Sequence, residues 1–267
     1  MPDSSRGFPD PYLDPRTGIL ANKVGARTQS ELDVAEGELV PFRAVQLDDH
    51  PIQGRFDLDH LRAIHRHLFQ DVYPFAGEVR TVNIHKLNDP GSGFFPIERF
   101  AAGAAYVFGD LAGDKFLRDR TPERFVTGVA KHFDAINHLH PFREGNGRTQ
   151  RIFVGQLAAA AGYRIDWRAI TPEQNVHASR EGVRELRTMF TDIVTPITES
   201  NRRAHARDAI DARTDIDAEV KAVLKSAGLD NPGRGTWRPT RPTQAPQAHP
   251  NRERTTERNE RDTGPER

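Results

Sequence analysis

One segment, His140–Arg151 with the sequence HPFREGNGRTQR, combines a histidine, a carboxylate, two glycines and three arginines. An imidazole titrates near neutral pH, so His140 can take a proton from a hydroxyl nucleophile. Glu144 is a lone carboxylate of the kind that holds Mg²⁺ when phosphates supply further ligands. Arg148 and Arg151 would share one face of a helix, where guanidinium groups suit phosphate oxygens. The segment therefore predicts a site for transfer of a phosphorus group.

The elements around this segment are predicted from apolar residues at helical spacing on both sides of it, which indicate a loop between two buried helices. Gly145 and Gly147 allow backbone conformations that other residues resist and let the chain approach a ligand closely. The second helix should begin near Asn146–Gly147, which aims its unpaired N–H groups and positive dipole end into the loop. The apolar positions are Phe125, Val129, Phe133, Ile136 and Leu139 before the loop and Ile152, Phe153, Leu157 and Ala158 after it.

The same segment resembles the core motif of the Fic domain family, His-Pro-Phe-x-Asp/Glu-Gly-Asn-Gly-Arg-x-x-Arg, at every defined position. The resemblance implies an all-α fold, a Fic-type helical bundle with a short β-hairpin flap over the active site. It also implies an activity: transfer of AMP from ATP to a Ser, Thr or Tyr hydroxyl of a target protein, with pyrophosphate release. ATP and Mg²⁺ are the implied cofactors.

Carried over position by position, the resemblance gives each motif residue a role. His140 would deprotonate the target hydroxyl, and Glu144 would hold Mg²⁺ on the α- and β-phosphates. Arg148 would pair with the β-phosphate and Arg151 with the γ-phosphate, while Asn146 would order the loop. The nucleotide-binding residues implied in this way are Gly145, Asn146, Gly147, Arg148, Arg151 and Lys86.

Gly147 bears on which reaction of the family is expected. A phosphotransfer branch carries a bulkier residue at this position and lacks the full arginine set, so its nucleotide binds reversed. This chain keeps Gly145, Gly147 and Arg151, which favours AMP transfer. The alternatives left open are a Fic/Doc-type phosphotransferase, a nucleotide-binding module without turnover, and a scaffold that uses only the flap.

The flap is predicted at about residues 79–96, where the hydrophobic pattern changes from helical to alternating. Val79, Thr81, Val82 and Ile84 alternate, and an Asn-Asp-Pro-Gly-Ser-Gly turn at residues 88–93 follows, which together indicate a β-hairpin. In the family, the backbone of the target pairs with this flap as an additional strand. The target-docking residues implied are Ile84, His85 and Lys86, and an ordinary surface hairpin is the alternative.

The rest of the chain divides into four parts by composition: an N-terminal arm (1–27), a Fic domain (28–200), a C-terminal helical extension (201–230) and a disordered tail (231–267). Pro41 should break or kink the first helix of the domain. Asp57 should cap the next helix, and the Thr-Pro pairs at 121–122 and 171–172 should begin two later ones. Three histidines at 60, 65 and 67 lack acidic or cysteine partners at metal-ligand spacing, so a solvated or structural role is expected.

Composition limits the partners that are expected. The 38 basic and 38 acidic residues balance, so neither nucleic acid nor a membrane is expected to bind directly. The absence of cysteine excludes disulfides and thiolate metal sites and fits a reducing compartment. The first residues lack the apolar region of a signal peptide. We therefore expect a cytoplasmic protein, with secretion as an effector left open.

The resemblance to the Fic family raises the question of whether this chain carries an inhibitory segment. Many Fic enzymes are held inactive by a helix bearing Ser/Thr-x-x-x-Glu-Gly/Asn, whose glutamate pairs with the second motif arginine. Glu36–Gly37 has Leu32 where a hydroxyl is required, and Thr195–Glu199 is followed by Ser200. Neither segment fits the pattern. We expect a stand-alone bacterial toxin-type protein that is inhibited by a separate antitoxin-like protein, which supplies a glutamate to Arg151.

Overall fold

A computed structural model describes residues 10–86 and 89–198, with the backbone alone for residues 86 and 89–92. The predicted extension (201–230) and tail (231–267) lie outside the described residues. The expected all-α fold with a small hairpin is confirmed. Within the described ranges the elements are α1 (Gln29–Asp49), α2 (Leu58–Phe69), β1 (His85–Lys86), β2 (Asp89–Gly93), α3 (Phe100–Gly113), α4 (Pro122–Leu139), α5 (Asn146–Ala160), β3 (Tyr163–Ile165), α6 (Pro172–Glu181), α7 (Val183–Ile193) and β4 (Val194–Pro196).

Helix α4 lies at the centre of the bundle and packs against α3, α5 and α7, while α2 packs against α1 and α5. The apolar face of α4 is fully buried, and each large side chain removed from water in this way stabilises the fold by about 1.5–3 kcal/mol. The loop between α4 and α5 is thereby fixed at both ends by buried helices. The buried residues of α4 include Phe125, Val129, Phe133, Ile136 and Leu139.

The predicted helix starts agree with the structure. Asp57 caps α2 by accepting the N–H of His60 at 2.9 Å. Thr171 caps α6 in a reciprocal capping box with Gln174. Thr121 precedes Pro122 at the start of α4, but its side chain makes no capping bond to the backbone.

Of the break or kink expected at Pro41, the break is wrong, because α1 continues through this proline to Asp49. A proline inside a helix leaves the carbonyl four residues earlier without its N–H partner. That residue is Gly37, which is exposed and has open space where a Cβ would stand. Solvent can therefore satisfy the carbonyl, and the helix stays intact.

The flap contains the expected hairpin, but its strands are shifted along the sequence. Residues 79–84, predicted as the first strand, have no strand structure, and β1 is only His85–Lys86. The segment predicted as a turn instead supplies β2, which pairs antiparallel with β1 across a register shift. A second two-stranded sheet, β3 with β4, was not predicted.

The described part of the N-terminal arm, residues 10–27, packs on the region that leads into the flap and on the loop after α4. Tyr12 is 8 % exposed, and its hydroxyl accepts the backbone N–H of Thr81 at 2.9 Å. Asp10 forms an ion pair with Arg143 of the α4–α5 loop, at 2.8 Å. The arm therefore braces two segments that meet near His140.

Candidate active site

The motif loop, residues 140–145, is ordered by the side chain of Asn146. Its Oδ1 accepts the N–H of Phe142 at 2.9 Å, and its Nδ2 donates to the carbonyl of Phe142 at 2.7 Å. The ring of Phe142 is 1 % exposed and anchors the loop in the core. Helix α5 begins immediately afterwards, so its first N–H groups lie at the loop, where they favour an anion.

His140 ends α4 in the left-handed conformation, with φ 45° and ψ 65°. Its Nδ1 lies 3.0 Å from the carbonyl oxygen of Asn137. A carbonyl only accepts hydrogen bonds, so Nδ1 carries the proton and Nε2 carries the lone pair. The local backbone thus selects the tautomer in which Nε2 is the basic nitrogen. The imidazole also stacks on the ring of Phe94, with centroids 3.5 Å apart and planes 16° apart.

Arg80 joins the flap to the end of α4. It is 1 % exposed, and its guanidinium donates to the carbonyls of His140 at 2.8 Å and Val82 at 2.7 Å, and also to that of Phe95. Its backbone N–H donates to the carbonyl of Pro141 at 2.8 Å. Burial lowers the pKa of Arg80 from its usual value, although guanidinium stays charged at physiological pH. A single buried cation therefore fixes His140 relative to the flap.

His65 of α2 joins the motif loop to the turn before the flap. It is fully buried, its Nδ1 accepts the N–H of Gly77 at 2.7 Å, and its Nε2 lies 3.0 Å from the carbonyl of Glu144. Its ring also stacks on Phe142 at 3.9 Å. Burial lowers the pKa of His65 to about 4. This histidine is neutral at physiological pH and donates through Nε2, which is a structural role.

The two motif glycines serve different purposes. Gly145 has φ 78°, and a Cβ there would lie 2.3 Å from the ring of Phe69, so both its conformation and its surroundings require glycine. Gly147 lies in α5, and a Cβ there would meet nothing within 4 Å. The expectation that both glycines serve unusual backbone conformations is therefore wrong for Gly147. Its missing side chain instead leaves open space beside the first turn of α5.

Arg148 is held by carboxylates and by an aromatic ring. Its Nη1 lies 2.5 Å from Glu36 of α1 and its Nη2 lies 3.4 Å from Glu144. Its guanidinium stands over the ring of Phe69, 4.8 Å from the centroid. The hydroxyl of Tyr73 donates to Glu36, and burial and this carboxylate raise the pKa of Tyr73, so the donor proton is retained. Glu36 thus contacts the first motif arginine and not the second.

Arg151 lines a groove of about 810 Å³ between α1 and α5. Among the described residues no carboxylate lies within ion-pair distance of this guanidinium. Burial, followed by the positive charge of Arg148, lowers the pKa of Arg151. The walls of the groove are mostly apolar and include Val40, Leu47 and Trp167. One end of the groove therefore presents a cation that lacks a described counter-charge.

The proposed target-docking residues lie at the first strand of the flap. The carbonyl of Ile84 accepts the N–H of Phe94 at 3.2 Å, and His85 pairs with Gly93. Lys86 ends β1, and only its backbone is described. The flap sheet has two strands, so within the described residues β1 pairs on one edge only.

Three residues of the site, Glu36, Arg80 and Phe94, were not predicted as site residues. For His65 a solvated or structural role was expected, and the structure shows the structural one. Arg80 occupies a polar position in an alternating run, which usually faces solvent. His65 gave one available signal, because it lies on the same helical face as Leu61 and Leu68 and so falls in the buried stripe. Glu36 was weighed only against an inhibitory pattern that it does not match.

Two further features concern the described part of the chain: its potential metal ligands and its helix lengths. No group of three or more His, Cys, Asp or Glu side chains there could hold a metal ion by itself. None of its helices is both long enough and apolar enough to cross a bilayer.

Comparison with known proteins places this geometry in a family. A model of the Fic/DOC family matches residues 55–158, which include α2, the flap, α4 and most of α5. The chain is 37 % identical over 220 residues to the protein adenylyltransferase VbhT of Bartonella schoenbuchensis, a match that covers 80 % of this chain and 45 % of VbhT. The chain therefore spans less than half of that relative.

A second relative is covered almost completely. The chain is 37 % identical over 196 residues to the Escherichia coli K12 protein named "Probable protein adenylyltransferase Fic", with 72 % of this chain and 95 % of that one covered. The structure is similar to the Bartonella tribocorum BepC protein with bound AMPPNP, a VirB-translocated effector, at a TM-score of 0.63 and 27 % identity. That match covers 69 % of this chain and 96 % of BepC.

Proposed function

The chain belongs to the Fic/DOC family, and from that premise we propose that it transfers AMP from ATP to a Ser, Thr or Tyr hydroxyl of a target protein. The hydroxyl oxygen attacks the α-phosphorus. The bond between that phosphorus and the oxygen that bridges it to the β-phosphorus breaks. Pyrophosphate leaves, and the hydroxyl proton passes to Nε2 of His140. The reaction is thus a nucleotidyl transfer in which the protein supplies the base and the phosphate cradle.

The observation that carries this proposal is the open space at Gly147 on the first turn of α5. This space lies at the helix start with its unpaired N–H groups, Arg148 follows on the same first turn of α5, and Arg151 lies on the next turn. A triphosphate needs such a combination of unpaired N–H donors and fixed cations. The backbone N–H groups at Gly145, Asn146 and Gly147 would cradle the phosphates, with the two guanidiniums on the β- and γ-phosphates.

Glu144 fits the role of the Mg²⁺ ligand. Its side chain is 43 % exposed, and its described contacts, with the N–H of Gly145 and with Arg148, both use Oε1. One protein carboxylate supplemented by phosphate oxygens and water is the usual environment of Mg²⁺ on a nucleotide. Bound there, the ion would neutralise charge on the phosphates of ATP.

The flap is suited to presenting the target. Because β1 pairs with β2 on one edge, its other edge can accept an extended segment of the target as a third strand. Ile84, His85 and Lys86 would form that edge, and the hydroxyl of the docked segment would reach His140. Backbone pairing of this kind selects an extended conformation and leaves sequence preference to the side chains.

We further propose that a separate antitoxin-like protein inhibits the chain. The groove between α1 and α5 has apolar walls and leads to Arg151, which suits an apolar helix that carries a glutamate. A carboxylate on Arg151 would occupy the position of the γ-phosphate. Thr195 lies in β4 and Glu199 lies outside the described residues, so this internal candidate gains no support. A toxin of the cytoplasm, or alternatively a secreted effector, fits this arrangement.

Labelled ATP tests the proposed reaction. The chain is incubated with Mg-ATP and cell lysate, with label in either the α- or the γ-phosphate, and His140→Ala serves as the control. We expect protein labelling from the α-phosphate only, and none with the variant. Labelling from the γ-phosphate alone would instead indicate a phosphotransferase. Absence of both would leave a nucleotide-binding module or a scaffold.

A further inference from the structure

The flap places an aromatic ring directly on the imidazole of His140. The rings of Phe94 and His140 have centroids 3.5 Å apart and planes 16° apart, which is a face-to-face stack. Phe94 and Phe95 are both half-buried, but Phe95 packs against Gly103 of α3 and the hydrophobic core, whereas Phe94 is not part of that packing. The side chain of Phe94 is therefore not explained by the core alone.

Both rings of this stack are attached to the same rigid support. The N–H of Phe94 donates to Ile84 across the hairpin at 3.2 Å, and the N–H of Phe95 donates to His138 of α4 at 3.0 Å. Arg80 donates to the carbonyls of both Phe95 and His140. The buried guanidinium thus holds the backbone at His140 and at the residue that follows Phe94, which keeps the two stacked residues close together.

Two of the described contacts restrain the orientation of the imidazole. The hydrogen bond from Nδ1 to Asn137 lies in the plane of the ring and fixes one edge. The ring of Phe94 covers one face and opposes rotation out of that plane. When His140 accepts a proton, the ring becomes a cation, and the negative face of an aromatic ring attracts a cation. The stack therefore favours both the ring position and the charge that the reaction requires.

We propose that Phe94 is a positioning residue for His140, holding the plane of the imidazole and stabilising the imidazolium that forms during transfer. The inference rests on the proposed AMP transfer. It assigns the base of the flap a part in the proton transfer that is separate from target docking.

The test compares Phe94→Leu, Phe94→Tyr and the matched neighbour Phe95→Leu. Transfer of α-label to lysate protein is measured across Mg-ATP concentrations. For Phe94→Leu we expect the maximal rate to fall about two- to ten-fold, with the apparent KM for Mg-ATP unchanged. Phe94→Tyr, which keeps the aromatic ring, should transfer AMP at the wild-type rate, and so should Phe95→Leu.

A spectroscopic readout applies whether or not a variant is active. The NMR signal of a proton that lies over an aromatic face is shifted upfield. The imidazole C–H signals of His140 are identified as those that are missing from the spectrum of His140→Ala. The upfield shift should be present in the wild type and in Phe94→Tyr, and absent in Phe94→Leu. An unchanged shift in Phe94→Leu, or a full rate with that variant, would overturn the inference while leaving AMP transfer intact. A wild type that transfers no AMP would overturn both proposals.

Discussion

The motif loop and the flap meet at His140, but different kinds of contact hold them. Within the loop most bonds join near neighbours: Asn146 to Phe142, Glu144 to Gly145, and His140 to Asn137. The flap has strands of two and five residues and depends on partners far away in the sequence. Its main supports are Arg80 and the bond from Phe95 to His138.

This difference assigns the two regions different tasks. A loop that is closed mostly by local bonds between two buried helices depends less on distant partners, although Arg80 also donates to the carbonyls of His140 and Pro141. A short hairpin with few buried contacts opens at lower free energy than a core helix does. Such a hairpin would suit the proposed docking of varied extended segments, while the loop would keep one geometry for the proposed nucleotide.

The largest effect is expected when Arg80, which connects the motif loop to the flap, is replaced. Arg80→Met removes a buried guanidinium and leaves several carbonyls unpaired, so the free energy of unfolding should fall by about 3 kcal/mol. AMP transfer should also be lost, because His140 and the flap no longer share an anchor. Urea unfolding measures the first effect, and the exposed Arg99→Met is the control. Equal stability of the two variants would show that Arg80 supports neither region.

His65 tests the loop side of the same connection through pH. Its pKa is about 4 in the folded state and about 6.5 when unfolded, so its contribution to stability is complete above pH 6.5. As the pH falls from 6.5 towards 4, His65 binds a proton in the unfolded chain but stays neutral in the folded chain. Stability should drop by up to about 3 kcal/mol over that window.

The measurement for His65 is urea unfolding of the wild type and His65→Asn across that range of pH. The variant should be less stable at pH 7.5 and should depend less steeply on pH. Identical slopes for the two proteins would contradict a buried neutral histidine at this position.

The two motif glycines sharpen the comparison within the loop. Gly145→Ala combines a positive φ with a clash against Phe69, and should cost about 1–3 kcal/mol of stability. Gly147→Ala lies in a helix with open space, so stability should be unchanged or raised by up to about 1 kcal/mol. Mg-ATP should nevertheless bind this variant less tightly, because the added methyl enters the space proposed for phosphate. Thermal unfolding measures the stability of the two variants, and calorimetric titration measures their affinity for Mg-ATP. Equal destabilisation of Gly145→Ala and Gly147→Ala would show that the two glycines do not differ in this way.

Glu36 gives the smallest expected effect. Glu36→Gln keeps a hydrogen-bond acceptor for Arg148 and Tyr73 but removes a negative charge beside the phosphate site. Mg-ATP should therefore bind about two- to five-fold more tightly. Calorimetric titration of the two proteins measures this, with Glu38→Gln on the same helix as the control. Weaker binding would show instead that the carboxylate holds Arg148 in its phosphate-binding position.

The same contrast explains how far the sequence could predict the structure. The starts of α4 and α5 and the cap at Asp57 follow from local patterns, because the hydrogen bonds at a helix start join residues within one turn. The long-range partners of Arg80 and His65 have no local signature. The predicted positions of the flap strands were also wrong, since strands this short are fixed by tertiary contacts and not by alternation.

The central claim is that His140 performs the proton transfer while α5 and its arginines bind the nucleotide. The most direct measurement sets Mg-ATP affinity beside AMP transfer for His140→Ala and the wild type. The account predicts equal affinity and a transfer rate reduced by about 10²–10⁴-fold or more in the variant. Transfer at the wild-type rate, or loss of nucleotide binding in proportion to activity, would contradict it.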